Sequence, residues 1–76
     1  MIHERDTVVL THDVPGHGLK EGNVGAVVHR YADGAAFEVE FVTAEGKTVA
    51  VLTLTEAHTR PMGSGEILHA REFASA

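Results

Sequence analysis

Residues 37–41, Phe-Glu-Val-Glu-Phe, alternate apolar and acidic side chains, and this stretch decides the fold. It lies between two short glycine-containing turns, Ala-Asp-Gly-Ala at residues 32–35 and Ala-Glu-Gly-Lys at residues 44–47. Alternation with a period of two indicates a half-buried β-strand, and turns of this kind join antiparallel strands. The sequence therefore predicts an antiparallel meander over residues 24–54, with the apolar side chains of the middle strand inward and its glutamates outward.

Outward from this stretch, β-branched and apolar runs predict further strands of a small all-β domain. The five predicted strands cover residues 6–11, 24–31, 35–43, 48–54 and 58–61. In the second strand, Val24, Ala26 and Val28 are expected to line one face. The continuous apolar run at residues 49–52 predicts that both faces of the fourth strand are partly covered. The proline at the end of the fifth strand suits an edge or a terminus.

Two connections distinguish this pattern from a plain meander. The first is a long loop at residues 11–23, which contains one proline and three glycines. Long loops without periodicity are unusual in compact domains and are often functional. The second is the segment 54–58, which is too short for an α-helix and is expected to form a single 3₁₀ turn before the last strand. This order predicts an SH3-like barrel over residues 1–61, followed by a C-terminal extension over residues 62–76.

The composition excludes several classes of function. The chain has 76 residues, no cysteine and a net charge of −5, with 6 Lys and Arg against 11 Asp and Glu. Disulfides and thiolate zinc sites are therefore excluded, and the acidic balance disfavours nucleic acid and anionic membranes as partners. Residues 1–6 lack the apolar core of a signal peptide, and no apolar run reaches transmembrane length. We expect a cytoplasmic protein.

The short length also bears on association. A chain of this size buries only about 60% of the surface that it exposes when unfolded, so a monomer is marginally stable. Small domains commonly gain stability from disulfides, a metal or association. With disulfides excluded, the sequence favours a homo-oligomer.

Three blocks of sequence carry a resemblance to a known family: Asp-Thr-Val-Val-Leu-Thr at residues 6–11, residues 18–28, and Phe-Glu-Val-Glu-Phe-Val at residues 37–42. Together they resemble a family of small uncharacterised bacterial proteins that share a domain of unknown function. The resemblance covers residue 1 to about residue 61. It implies an SH3-like barrel and implies no activity.

A shorter element has looser similarities. Gly22-x-x-Gly25-x-Val27-Val28 is similar to KOW motifs and to the barrel of nitrile hydratase β subunits. The first similarity implies a nucleic-acid-binding module, and the second implies an accessory subunit of a larger enzyme. Both stand as alternative functions, and they rest on fold analogy alone.

Signals for catalysis, cofactors and metals are weak. Gly46-Lys47-Thr48 matches the end of a phosphate-binding loop, but Phe41 stands where that motif needs a glycine, and no helix follows. The only serine hydroxyls, Ser64 and Ser75, lie in the C-terminal extension. We predict no catalytic residue and no cofactor.

The chain has six histidines, which is a high number for its length: His3, His12, His17, His29, His58 and His69. No pair of them has the spacing of a helical or Cys/His metal site. We interpret them as surface histidines and predict no metal site.

The long loop and the neighbouring strand ends are the predicted binding surface, because this region commonly shapes the groove of SH3-like barrels. The candidate partner-binding residues are His12, Asp13, His17, Lys20, Glu21, Tyr31 and Arg60. Tyrosine and arginine are enriched at interface hot spots. The alternative is an ordinary solvent-exposed loop, with Tyr31 capping the edge of the core.

The C-terminal extension begins with a flexible hinge, Met-Gly-Ser-Gly at residues 62–65. Its apolar side chains Ile67, Leu68 and Phe73 are predicted to dock on a neighbouring subunit or on the chain's own barrel. The alternative is a disordered terminus. Taken together, the sequence favours a non-enzymatic protein-interaction module that self-associates and whose partner is a protein of unknown identity.

Overall fold

The computed structural model describes residues 2–73, which form five antiparallel β-strands in one sheet. The strands are β1 (Thr7–Leu10), β2 (Val24–Arg30), β3 (Ala36–Val42), β4 (Thr48–Thr55) and β5 (Thr59–Pro61). The order across the sheet is β4-β3-β2-β1-β5, so β4 and β5 form its two edges. The all-β fold and its five antiparallel strands are confirmed, and each strand agrees with its predicted bounds to one residue at either end.

The helical element of the described chain lies in the long loop, as a 3₁₀ helix at Pro15–His17. Before the last strand, residues 55–58 form a single turn, which the His58 N–H closes by donating to the Thr55 carbonyl at 3.0 Å. A hydrogen bond between residues three apart is the bond of a 3₁₀ turn, and one such bond does not make a helix. Within residues 2–73, no helix is long and apolar enough to cross a membrane.

The core lies on one face of the sheet, and β3 supplies its centre. Phe37, Val39 and Phe41 are buried, whereas Glu38 and Glu40 point to the opposite face, as the alternation predicts. The other buried members of the core come from the N-terminal segment, the long loop and strands β1, β2 and β4: Ile2, Val8, Leu10, Leu19, Val27 and Leu54. Leu19 belongs to the long loop, so this loop closes part of the core.

The face of β2 that packs on the core is not the one on which Val24, Ala26 and Val28 were expected to lie together. Gly25 and Val27 are buried, whereas Ala26 is exposed and Val28 is 50% exposed. Gly25 has no side chain, so hydropathy alternation does not reveal that it faces inward. Its backbone lies so close to β3 that an added Cβ would sit 2.5 Å from Cγ1 of Val39.

Two irregularities in register bend the sheet around its core. One lies between Val27 and His29 in the pairing of β2 with β3, and the other lies between Phe41 and Val42 in the pairing of β3 with β4. A bulge bends its strand and increases the local twist. The curvature brings the inner face of β4 onto the core, where Val49, Ala50 and Leu52 are partly buried.

Val51 is the exception in the apolar run of β4. It pairs with Glu40 on the outer face and is 49% exposed. The expected partial cover on both faces of β4 therefore does not extend to this residue.

Candidate interaction surface

The long loop at residues 11–23 is folded back on itself. The Val14 N–H donates to the Leu19 carbonyl at 2.8 Å, and the Leu19 N–H donates back at 3.2 Å, which makes an antiparallel bridge across the 3₁₀ helix. Gly18 closes this helix with a φ of 70°, in the left-handed region that favours glycine. The loop thus has a defined shape and presents a fixed surface.

Side-chain hydrogen bonds hold the second half of the loop in place. Asp13 Oδ1 accepts a 2.8 Å hydrogen bond from the Glu21 backbone N–H. Asn23 Oδ1 accepts one of the same length from the Lys20 backbone N–H. Asp13, Lys20 and Glu21, three predicted partner-binding residues, are therefore brought together by the backbone of one turn.

The C-terminal segment begins with an ion pair to β5. The Arg60 guanidinium donates to both carboxylate oxygens of Glu66, at 2.7 and 2.6 Å. Glu66 also accepts a 2.6 Å hydrogen bond from the Gly63 N–H. The Arg60 bonds, followed by the Gly63 bond, lower the pKa of Glu66 from its ordinary value of 4.5 to about 2. The same contacts with Glu66 raise the pKa of Arg60, and Glu21 contributes to this shift through its charge.

The end of the described tail lies against the long loop. Arg71 Nη2 donates to the Gly18 carbonyl at 2.8 Å and to Asn23 Oδ1 at 2.7 Å. The ring of Phe73 covers Gly18, since a Cβ added to this glycine would lie 3.1 Å from Phe73 Cε1. The tail therefore contacts the loop through one cation and one aromatic ring.

Two grooves flank these contacts. The first has a volume of about 280 Å³ and is lined by Asp13, Pro15, Gly18, Leu19, Lys20 and Arg71. The second has a volume of about 380 Å³ and is lined by Thr43, Glu45, Lys47, Thr48, Val49 and Phe73. We call the two grooves together the loop–hairpin cleft, because the long loop lines the first and the β3–β4 hairpin lines the second. The tail forms one wall of each groove, through Arg71 in the first and Phe73 in the second.

Tyr31 belongs to a different cluster, on the outer face of the sheet. Its hydroxyl donates to Glu38 Oε2 at 2.8 Å, and its ring meets His29 edge-on at 4.9 Å between centroids. The hydroxyl of Thr53 donates to the same Glu38 oxygen at 2.7 Å. The bond from Thr53, and then that from Tyr31, lower the pKa of Glu38, while Glu38 raises the pKa of Tyr31.

The two predicted loop histidines have separate surroundings. The Nε2 atom of His12 lies 3.1 Å from the Ala57 carbonyl oxygen, and its ring meets His58 edge-on at 6.1 Å. His17 is exposed at the end of the 3₁₀ helix, beside Gly18. Among residues 2–73, no group of three or more His, Asp and Glu side chains is placed to hold a metal ion.

The predicted oligomer-contact residues divide into two groups. Ile67 and Leu68 are 91% and 70% exposed, whereas Phe73 is partly buried against its own chain. The predicted extension reaches residue 76, and residues 74–76 lie outside the described part of the chain. Sequence reasoning missed Asn23 and Arg71. Neither residue belongs to a sequence motif or an alternating pattern, and their hydrogen bond joins positions that are 48 residues apart in the chain.

These features define a small all-β domain whose long loop is braced by its own C-terminal segment. The chain belongs to the family described as Domain of unknown function (DUF4926), whose model matches residues 4–61. The match contains all five strands and ends at the last residue of β5, so the resemblance to a family of uncharacterised proteins is confirmed. No curated protein matches the chain, and no solved structure does.

Proposed function

We propose that this chain is a non-enzymatic protein-interaction module of the SH3-like type that binds an extended peptide segment and self-associates. The observation that supports the peptide-binding part is the contact of the chain's own tail with the long loop, made by Arg71 and Phe73 at the loop–hairpin cleft. The strand order, with β1 between β2 and β5, supports the SH3-like assignment. The cytoplasmic location expected from the sequence belongs to the same proposal.

The chemistry of the tail indicates the kind of peptide that suits the cleft. Arg71 donates hydrogen bonds to the Gly18 carbonyl and to the side-chain amide oxygen of Asn23. The ring of Phe73 packs over Gly18, which has no side chain to block it. Arginine and aromatic residues are the side chains that most often anchor interfaces. A segment with Arg-x-Phe spacing therefore fits this surface.

The net charge of the whole chain, −5, favours the same class of ligand. Apart from the tail, each groove is lined by one acidic and one basic side chain: Asp13 with Lys20, and Glu45 with Lys47. Complementary charge speeds encounter and disfavours like-charged partners. A basic peptide with an aromatic anchor is the expected ligand.

The carboxylates on the outer sheet face support a non-enzymatic function. Glu38 accepts hydrogen bonds from Tyr31 and Thr53, and Glu40 accepts a 2.6 Å hydrogen bond from the Thr48 hydroxyl. Both carboxylates lie on an open sheet face and are already engaged by neighbouring hydroxyl groups. An acid–base pair works best in a concave site that excludes water.

Self-association is supported by the exposed apolar side chains and by the size of the domain. Ile67 and Leu68 stand almost free in solvent, and the family domain spans only residues 4–61. Domains of this size gain stability when they associate.

The test is peptide binding to the full chain. A synthetic peptide of residues 63–73 is titrated against the wild type and against the double variant Arg71→Ala/Phe73→Ala, whose tail no longer competes for the cleft. The double variant is expected to bind the peptide at least tenfold more tightly than the wild type, as measured by fluorescence anisotropy. The matched control Ile67→Ala/Leu68→Ala, which changes two exposed tail positions, is expected to behave as the wild type. Equal, weak binding by all three proteins would rule out a peptide-binding cleft.

A further inference from the structure

The edge strand β4 is the longer of the two edges of the sheet. Within residues 2–73, β4 pairs with β3 along one side, and no backbone hydrogen bond joins its other side to a further segment. β4 has eight residues, whereas the opposite edge strand, β5, has three. One long row of backbone donors and acceptors therefore faces outward from β4.

The sequence of β4 lacks the features by which proteins usually protect a sheet edge. Natural edges are kept short or carry charged residues and prolines. β5 follows this rule, since it consists of Thr59, Arg60 and Pro61. β4 reads Thr-Val-Ala-Val-Leu-Thr-Leu-Thr, with no charge, no proline and five β-branched residues. Such an edge favours the addition of another strand.

We propose that the free edge of β4 pairs in antiparallel orientation with β4 of a second copy of this chain. The two five-stranded sheets then form one continuous sheet across a two-fold axis. This inference rests on the self-association in the proposed function and gives it a defined surface. The start of β4 also lines the second groove of the loop–hairpin cleft, through Thr48 and Val49, so the substitutions that test the inference are placed at Val51 and Thr53, outside that lining.

The charges that flank β4 select a second copy in the antiparallel orientation. Lys47 precedes the strand and Glu56 follows it. An antiparallel two-fold pairing centred on the middle of β4 brings Lys47 of each copy to within one residue of the position opposite Glu56 of its partner, twice by symmetry. A parallel pairing would place Lys47 beside Lys47 and Glu56 beside Glu56. Opposite charges across neighbouring strands stabilise the pair, and like charges destabilise it.

The two-fold symmetry restricts the register. Directly opposite residues in an antiparallel pair point to the same side of the sheet. With the axis perpendicular to the sheet, residues of equal orientation must therefore face each other. Beyond the irregularity near Val49, a pairing centred on Val51 or Leu52 meets this condition over residues 50–52 or 50–54. In the first register Val51 faces Val51 of the second copy, and in the second it faces Thr53. The exposed outer surface of Val51 gains an apolar or β-branched neighbour in either case.

The oligomeric state of the full chain tests the inference. Native mass spectrometry and sedimentation velocity of the wild type are expected to show a particle of twice the chain mass of 8.1 kDa. In the variant Val51→Lys/Thr53→Lys, lysines of the two copies come together at the centre of the paired strands. The dimer is then expected to be lost, with an unchanged far-UV circular dichroism spectrum.

The matched control is Val28→Lys. Val28 is as exposed as Val51, at 50% against 49%, but it lies on β2, in the interior of the sheet order. This variant is expected to remain dimeric. A Val51→Lys/Thr53→Lys protein that remains dimeric would overturn the β4 interface and leave self-association standing. A wild type that is monomeric at all concentrations would overturn both and leave the peptide-binding test unaffected.

Cysteine cross-linking provides a second measurement that does not depend on a charged variant. The chain contains no cysteine, so single substitutions report only their own contacts. In the register with Val51 opposite Val51 of the second copy, Val51→Cys is expected to form a covalent dimer under mild oxidation at low protein concentration. In the register with Val51 opposite Thr53, a mixture of Val51→Cys and Thr53→Cys proteins is expected to form the covalent dimer. Val28→Cys is expected to remain monomeric on denaturing gels. Absence of cross-linking from all the β4 positions would contradict the proposal.

Discussion

Phe37 and Phe73 are the same residue type in two very different settings. Phe37 is 1% exposed at the centre of the sheet, where apolar side chains surround it on all sides. Phe73 is only partly buried, with Gly18 on one side and a groove on the other. The ring of Phe37 belongs to the buried apolar core, whereas the ring of Phe73 packs on the long loop beside the hydrogen bonds of Arg71.

The difference shows that the sheet and the tail have separate sources of stability. The sheet gains its free energy from the burial of apolar area, which salt and pH affect little. The tail is held by the Arg60–Glu66 ion pair, whose side chains are 48% and 34% exposed, and by the hydrogen bonds of the exposed Arg71. Exposed ion pairs contribute little and are screened by salt. The tail is therefore expected to detach under conditions that leave the sheet folded.

The largest effect is expected from the two phenylalanines themselves. Phe37→Ala leaves a cavity in the core and is expected to lower the free energy of unfolding by about 3–5 kcal/mol. Phe73→Ala is expected to lower it by less than about 1 kcal/mol, since a partly exposed ring gives up less apolar burial. Urea denaturation followed by circular dichroism measures both. Equal losses would show that the tail is an integral part of the core.

Gly25 tests how tightly the sheet is packed. Gly25→Ala forces a methyl group against Val39 and Phe41, and the added Cβ would lie 2.8 Å from Cε2 of Phe41. Overpacking of this kind lowers the free energy of unfolding by about 1–3 kcal/mol. Gly16→Ala is the control, because nothing lies within 4 Å of the added carbon and its φ is not positive. Thermal melting of the two variants is expected to separate them clearly. A harmless Gly25→Ala would mean that β2 and β3 can move apart at no cost.

Arg71 tests the tail without touching the core. Arg71→Ala removes the hydrogen bonds to Gly18 and Asn23 and is expected to cost about 1 kcal/mol or less. The expected signature is local: the NMR resonances of Gly18 and Phe73 shift, while those of Val39 and Phe41 do not. Arg71→Lys keeps the charge but loses the fork geometry, and is expected to give an intermediate shift. Changes that spread through β3 would contradict the separation of tail and sheet.

The smallest effect is expected from acid. Because the pKa of Glu66 is lowered from 4.5 to about 2 in the folded chain, its ion pair stabilises the tail above pH 4.5. This contribution is lost progressively as the pH falls from about 4.5 toward 2, where the carboxylate becomes protonated. The amide resonance of Gly63, which donates to Glu66, is expected to report the transition. Arg60→Gln is expected to move its midpoint toward 4.5, and an unmoved midpoint would exclude Arg60 as the main cause of the shift.

Much of the sheet was predictable because each strand is encoded locally. The signals for β3 are the alternation at residues 37–41 and the glycine turns beside it, and both depend only on neighbouring residues. Strands β2, β3 and β4 lie where these signals predict them. The core-facing side of β2 was not recognised from the sequence, because one residue that packs there, Gly25, has no side chain to mark it. The bulge at Val27 and His29 also interrupts the alternation on which the prediction depended.

The candidate site was less predictable than the fold. Asp13, Lys20 and Glu21 lie together in one loop, which their closeness in sequence makes predictable, and their role in binding stays a prediction. Tyr31 was assigned to the same surface but contacts His29 and Glu38 on the outer sheet face. Asn23 and Arg71 were not found, because a hydrogen bond between distant positions leaves no trace in local composition.

By itself, the sequence determined the class of fold, the positions of five strands and the absence of cysteine chemistry, because periodicity, turn residues and composition act over a few neighbouring residues. The tertiary structure alone decided which glycine meets the core, which edge of the sheet is left open and where the tail lies. Those outcomes depend on how the sheet curves and on which distant segments meet, and that is settled by packing of the whole chain.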